Sequence, residues 1–248
     1  MSKTINIFGF HGIESLLQNN PELVLNVMIQ NGRKDKRINN LTKILSSNRI
    51  PFSIADKDKL DKISKGEAHQ GIISKVILSP LLNEKSLLDS ISSINQDPLI
   101  LILDTIQDPR NMGACLRSAN AAGVSHVIIN KDGSSPINAT VHKTSAGAIN
   151  NLKIFHVTNL SRTIKEIQKI GIWVVGLDGS SQKSIYDINL TGSIAIVVGS
   201  EGKGIRQLIK KNCDQIVSIP MTGNIESLNV SVAAAISLFE TKRQKESA

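Results

Sequence analysis

Residues 194–239 read IAIVVGSEGKGIRQLIKKNCDQIVSIPMTGNIESLNVSVAAAISLF, and their order decides the fold class. The apolar run 194–198 has the length and β-branched content of a buried strand. A glycine turn follows, with Gly199, Gly202 and Gly204 around Glu201, and a helical pattern starts at Ile205. A second short strand, residues 215–219, runs into Pro220. Asn224, Glu226, Ser227, Asn229 and Ser231 then crowd one loop. The last helix carries Leu228, Val232, Ala235 and Phe239 on one face. Two loops at strand ends thus collect the glycines and most polar groups that packing does not explain. Loops held by a rigid scaffold are where binding and chemistry reside.

A strand–glycine–helix connection is also ordinary α/β architecture, so the turn has to be weighed against named motifs. A dinucleotide site needs G-x-G-x-x-G early in its domain, with an acidic residue about 20 positions on. The turn here is GSEGKG over residues 199–204, and too little chain follows it. A phosphate loop needs Gly-Lys before Ser or Thr, whereas Gly202 and Lys203 precede Gly204. Neither motif fits.

Working outward, strand and helix patterns alternate from Pro98. Residues 99–103 form an apolar run suited to a parallel strand covered on both faces. Asp108 and Pro109 start a helix, as N-cap and first helical residue, and Gly123 ends it. Strands over 127–129 and 172–177 and a helix over 161–169 complete the pattern. Alternating β and α elements mean an α/β domain on a parallel sheet. The helix 109–122 is rich in small residues (Gly113, Ala114, Ser118, Ala119, Ala121, Ala122), which permit close packing. It also carries Asn111 in its first turn and Arg117 farther along. Arginine offers a planar fork of donors suited to phosphate, although a surface arginine paired with a carboxylate is the ordinary alternative.

The first 78 residues alternate short helices and strands as a small α/β domain of their own. Residues 79–97 are polar, with one amphipathic piece at 87–94, and are placed as a linker before a domain of residues 98–248. Basic residues cluster in RKDKR at 33–37 and at Lys57, Lys59, Lys62 and Lys65, either a solvated helix face or an RNA-contacting surface. Over the chain 29 Lys and Arg face 21 Asp and Glu, which favours a polyanionic partner. Aromatics are 3% of residues, so a platform of stacked bases is not expected and RNA contact would run through phosphate, ribose and shape.

Cys115 and Cys213 fall in helical patterns without metal-type spacing, and the five histidines are scattered. No metal is expected, and both thiols read as small buried groups. No apolar run approaches the length of a membrane span, and MSKTINIFGF lacks a basic start before an apolar core. A cytoplasmic protein without membrane attachment is therefore expected.

Three stretches taken together resemble the SpoU family of RNA ribose 2′-O-methyltransferases, within the trefoil-knot superfamily. They are DPRNMGACLR at 108–117, VVGSEGKG at 197–204 and IPMTGNIESLNVS at 219–231. FGFHG at 8–12 and HQGI at 69–72 resemble the family's L30e-like substrate-binding domain, so the likeness spans the chain. It is strongest with the branch that methylates guanosine ribose in 23S rRNA, at the peptidyl-transferase P loop. The resemblance implies S-adenosyl-methionine as cofactor, bound bent in a knotted C-terminal domain, and a homodimer. It places cofactor contacts at Leu177, Gly199, Ile219, Met221 and Leu228, and chemistry at Asn111, Arg117, Glu201, Ser227 and Asn229.

A ribose hydroxyl is a poor nucleophile, so such an enzyme works mainly by aligning oxygen, carbon and sulfur. Arginine stays protonated in proteins, so Arg117 is read as gripping a phosphate and stabilising charge on the oxygen rather than as a base. Asn111, Glu201 and Asn229 are read as holding Arg117 and the ribose, and Ser227 as a further contact or the cap of the last helix. A tRNA ribose methyltransferase and a non-catalytic rRNA assembly factor are the competing readings. Asn111, Arg117, Glu201 and Asn229, all present at motif positions, speak against the second.

Overall fold

The computed structural model describes residues 4–77, 82–223 and 227–247. The chain divides into two compact units: Met1–Pro80 with Ile137–Asn151, and Leu81–Pro136 with Leu152–Ala248. The first begins with β1 (Thr4–Phe8), α1 (Phe10–Asn19), β2 (Val24–Gln30), α2 (Lys36–Ser47), β3 (Phe52–Ala55), α3 (Lys57–Ser64) and β4 (Ile72–Ile77). Its sheet runs β1-β4-β2-β3, with β4 antiparallel to both neighbours and β2 parallel to β3. Its register with β4, Phe8 opposite Ile73, makes β1 a strand. Asp35 caps α2 by accepting the N–H of Ile38 at 3.1 Å. Ile13 from α1, Val27 from β2, Leu41 and Leu45 from α2 and Ile72 from β4 fill the core beneath the sheet.

Continuing along the chain come β5 (Leu82–Asn83), α4 (Leu87–Ser92), β6 (Leu99–Asp104), α5 (Pro109–Ala122), β7 (His126–Asn130) and α6 (Ala139–Thr144). Then follow β8 (Lys153–Val157), α7 (Leu160–Lys169), β9 (Trp173–Leu177), β10 (Ile194–Gly199), α8 (Gln207–Asn212), β11 (Gln215–Val217) and α9 (Val230–Glu246). Helix α6 belongs to the first unit, although the sequence placed its residues in the second domain. The second unit's sheet runs β11-β9-β10-β6-β7-β8-β5, and every neighbouring pair is parallel. Every residue of β6, β7 and β10 is buried, as a parallel sheet covered on both faces requires.

Residues 82–92, placed in a linker by their polarity, are structured. β5 pairs with β8, and α4 buries Leu87 and Ile91 against Phe155, Ile164 and Ile167. An amphipathic piece too short to be stable alone becomes a helix once a core receives it. Two smaller differences concern helix ends. The helix expected from Ile205 starts at Gln207, because Ile205 and Arg206 complete the glycine loop, and Cys213 caps α8 rather than lying inside it. Burial pushes the Cys115 and Cys213 thiols up to about 12, so both are inert near neutral pH.

Helix α5 forms as its ends dictate. Asp108 accepts the N–H of Arg110 at 2.7 Å, Pro109 occupies the first turn, and Gly123 closes the helix in the left-handed conformation at φ 81°. Helix α9 packs along α5 by Val230, Ala234 and Leu238. The stripe Val232, Ala235 and Phe239 is turned away from that contact, and Val232 and Phe239 are each 46% exposed. The spacing identifies an apolar face; the described residues do not cover it.

Candidate active site

Four strand ends build the site. β6, β9, β10 and β11 are neighbours in the sheet, and their C-terminal loops converge, as ligand sites in parallel α/β sheets do. The loops after β9, β10 and β11 line a cleft of about 370 Å³, the size of a small-molecule site. Leu177 and Asp178 come from the end of β9, Gly199 to Gly204 from the glycine loop, and Ile219, Met221, Ser227 and Leu228 from the approach to α9. All five residues expected to contact the cofactor line this cleft.

The glycine loop owes its shape to backbone contact. A Cβ at Gly199 would lie 2.0 Å from the carbonyl carbon of Gly204, so only glycine fits there. The loop closes through Ser200 and Gly204, the N–H of Gly204 donating to the Ser200 carbonyl at 2.8 Å. Gly202 and Gly204 hold φ of 76° and 63° at its tip.

Glu201 reaches from this loop to two residues far away in the chain. Its Oε1 accepts from Asn111 Nδ2 at 2.5 Å and from Asn229 Nδ2 at 2.7 Å. Asn229 Nδ2 also donates to Asn111 Oδ1 at 3.1 Å, closing a triangle. Asn229 Oδ1 is occupied as well, accepting the N–H of Ser231 at 2.9 Å and its hydroxyl at 2.6 Å. Asn229 therefore has both amide hydrogens and its oxygen engaged, and it positions its neighbours rather than holding a ligand. Among the described residues Asn111 keeps one N–H, and neither amide bonds Glu201 Oε2.

Asn229, not Ser227, caps α9. Ser227 is an exposed lining residue of the cleft. Asn224, Ile225 and Glu226 lie outside the described residues. Arg117 stands apart from the triangle: it is exposed on α5, does not line the cleft, and makes no ion pair among the described residues. The expectation that Asn111, Glu201 and Asn229 hold Arg117 is thus not met here, since they hold one another.

Pattern reading missed two carboxylates at strand ends. Asp178 accepts Lys210 at 2.6 Å and both the N–H and hydroxyl of Ser180. Burial raises its pKa, but these donors outweigh burial and bring the carboxyl down to about 2. Asp104 ends β6 with no exposed surface, and Arg206 grips it. The available signal was an acid closing an all-apolar strand, LILILD, where burial is costly without a partner.

A model of the SpoU rRNA methylase family matches residues 98–239, and one for RNA 2′-O ribose methyltransferase substrate binding matches residues 6–80. The chain belongs to the SpoU rRNA methylase family. Among its SpoU relatives, the 23S rRNA (guanosine-2′-O-)-methyltransferase RlmB of Escherichia coli K12 is 45% identical over 96% of this chain and 98% of its own. RlmB of Haemophilus influenzae is 44% identical over 96% of this chain and 97% of its own. A crystal structure of an RNA 2′-O ribose methyltransferase, 26% identical, matches with a TM-score of 0.80 over 99% of this chain and 90% of that one. The SpoU methyltransferase AviRb from Streptomyces viridochromogenes, in complex with AdoMet, has the same fold at 22% identity, with a TM-score of 0.81 over 99% and 92% of the two chains.

SpoU methyltransferases use S-adenosyl-methionine, and the cleft suits it. Leu177, Ile219, Met221 and Leu228 supply apolar walls, while the glycine loop exposes backbone where a side chain would block approach. No helix among the described residues is long and apolar enough to cross a membrane.

Proposed function

We propose that this SpoU methyltransferase methylates the 2′-hydroxyl of a guanosine in 23S rRNA, at the peptidyl-transferase P loop, acting in the cytoplasm. The observation that carries the reading is the Asn111–Glu201–Asn229 triangle, whose Glu201 lines the cleft, in a chain 45% identical to RlmB. The bound cofactor supplies an electrophilic methyl group. Leu177, Gly199, Ile219, Met221 and Leu228 hold it in the cleft. Glu201 locks Asn111 and Asn229 into one geometry, so the remaining N–H of Asn111 is aimed before substrate arrives, which lowers the cost of alignment. Ser227, exposed at the cleft wall, is a substrate contact.

Arg117, free of carboxylates among the described residues, grips the phosphate beside the target ribose and stabilises negative charge developing on the oxygen. Metal is not needed for chemistry that rests on positioning. Loss of activity in EDTA, restored by a divalent ion with the RNA fold intact, would overturn that point.

The first unit binds the RNA. Residues 1–80 carry twelve Lys and Arg against seven Asp and Glu, most of the chain's surplus, and the substrate-binding model matches there. The uncovered stripe Val232, Ala235 and Phe239 on α9 supports a homodimer. The strand order, with β10 between β6 and β9 and β11 beyond β9, supports the knotted path expected of the superfamily. The decisive experiment incubates the purified protein and labelled S-adenosyl-methionine with 23S rRNA and, separately, tRNA, then maps 2′-O-methylation. Label confined to a guanosine ribose of 23S rRNA is expected. Label in tRNA instead, or on a base, would refute the assignment.

A further inference from the structure

We infer that Asp104 and Arg206 are a pair of positioning residues that set the glycine loop, and through it Glu201, for cofactor binding and transfer. The inference rests on the methyltransferase reading, but it concerns residues that neither line the cleft nor join the triangle. Asp104 is the last residue of β6 and pairs in the sheet with Gly199, the last residue of β10. Its carboxylate has no exposed surface and is held on both oxygens by one residue. Arg206 donates its backbone N–H to Oδ2 at 2.9 Å and its Nε–H to Oδ1 at 2.7 Å, and Nη2 stands 2.7 Å from Oδ1 as an ion pair.

A buried carboxylate is costly unless its partners are well placed, so a grip on both oxygens makes a stiff joint. The joint falls where it controls the loop. Gly199 leaves the sheet beside Asp104, the chain makes its turn through residues 200–205, and Arg206 returns to the same carboxylate. Both ends of the loop are thereby referred to one point of β6. Within it, Ser200 and Gly204 are bonded and Glu201 faces Asn111 and Asn229. The neck is fixed from the other side too. Thr105, next after Asp104, has φ 60°, which a β-branched residue adopts only when its surroundings impose it, and its hydroxyl donates to the Asp104 carbonyl at 2.7 Å.

Three variants of the full chain test the pair: Arg206→Lys, Arg206→Ala and Asp104→Asn. Each is followed by thermal unfolding, by amide exchange of residues 200–205 without cofactor, by calorimetric S-adenosyl-methionine binding, and by single-turnover methylation. Arg206→Lys keeps the charge and the backbone bond but loses the fork, so it should melt close to wild type. Its loop amides should exchange faster, its cofactor Kd should rise about tenfold, and its rate at saturating cofactor should fall about tenfold to a hundredfold, the scale of a small misplacement. Asp104→Asn and Arg206→Ala should lose at least as much.

Wild-type exchange, affinity and rate in Arg206→Lys would overturn the proposal, whatever the other two variants do. So would cofactor affinity that falls in Asp104→Asn only in step with unfolding. A wild-type protein that failed to bind S-adenosyl-methionine would instead sink the methyltransferase reading, while loop exchange would still report on the clamp.

Discussion

Replacing Asn229 by Asp separates the two jobs of that residue. Asp is as good an N-cap as Asn, so α9 should keep its start, and any fall in thermal stability should come from the lost triangle and not exceed about 3 kcal/mol. The triangle should not survive. Asn229 gives one bond to the Glu201 carboxylate at 2.7 Å and one to the neutral Asn111 oxygen at 3.1 Å. Such bonds contribute about 1.5–3 and about 0.5–1.5 kcal/mol respectively, and because Glu201 and Asn229 are exposed, the lower ends apply, about 2 kcal/mol together. A second carboxylate beside Glu201 adds about 1 kcal/mol of repulsion in water-like surroundings. Single-turnover methylation at saturating rRNA and cofactor should then slow by about a hundredfold or slightly more.

Asn229→Ser removes the same bonds without adding charge and should cost about thirtyfold. Asn229→Asp combined with Glu201→Gln puts a donor opposite the new carboxylate and should recover most of the loss. Equal rates for the wild-type, Asp and Ser proteins would refute the argument. An Asp variant no slower than Ser, with no recovery in the double variant, would remove its electrostatic part.

Arg117→Lys and Arg117→Ala should each lose about 2–4 kcal/mol of transition-state stabilisation, because an ammonium lacks the fork, while calorimetric cofactor affinity stays unchanged. Near wild-type turnover in the Lys variant would count against the fork, and lost cofactor binding would move Arg117 into the cofactor site. Phe239→Asp or Val232→Asp should convert a dimer to a monomer by sedimentation at micromolar concentration, and a wild-type protein that sediments as an active monomer would remove the homodimer. Stability should fall on acidification, because burial lowers the His126 and His142 pKa values from 6.5 to about 4. Above pH 6.5 neither group affects folding; as pH falls from 6.5 towards 4 the unfolded chain binds protons that the folded one refuses, removing up to ~3 kcal/mol per imidazole. Urea midpoints that do not change between pH 7.5 and 4.5 would contradict this.

What could be read from residue order was local. The apolar runs that became β6 and β10 announce buried parallel strands because covered strands need apolar residues on both faces. Asp108, Pro109 and Gly123 mark the ends of α5 because capping is satisfied within a few residues. The glycine turn and the polar loop stood out as a site because no packing role explains them. Tertiary structure decided the rest. Thr4–Phe8 is a strand only because β4 lies alongside, and Leu87–Ser92 a helix only because a core accepts Leu87 and Ile91.

The 4-3-4 spacing in α9 showed an apolar face, but a period carries no information about what covers it; Ala234 and Leu238 turned inward instead, leaving Val232 and Phe239 out. The candidate site divides in the same way. Gly199, Ile219 and Leu228 were legible as motif positions, whereas the bonding of Glu201 to Asn111 and Asn229 joins residues 90 and 28 positions apart. Asp104 and Arg206, 102 positions apart, look like a strand end and a surface cation until the sheet sets β6 beside β10. Hydrogen bonds act over about 3 Å, so which polar groups meet depends on strand order, and no local pattern encodes it.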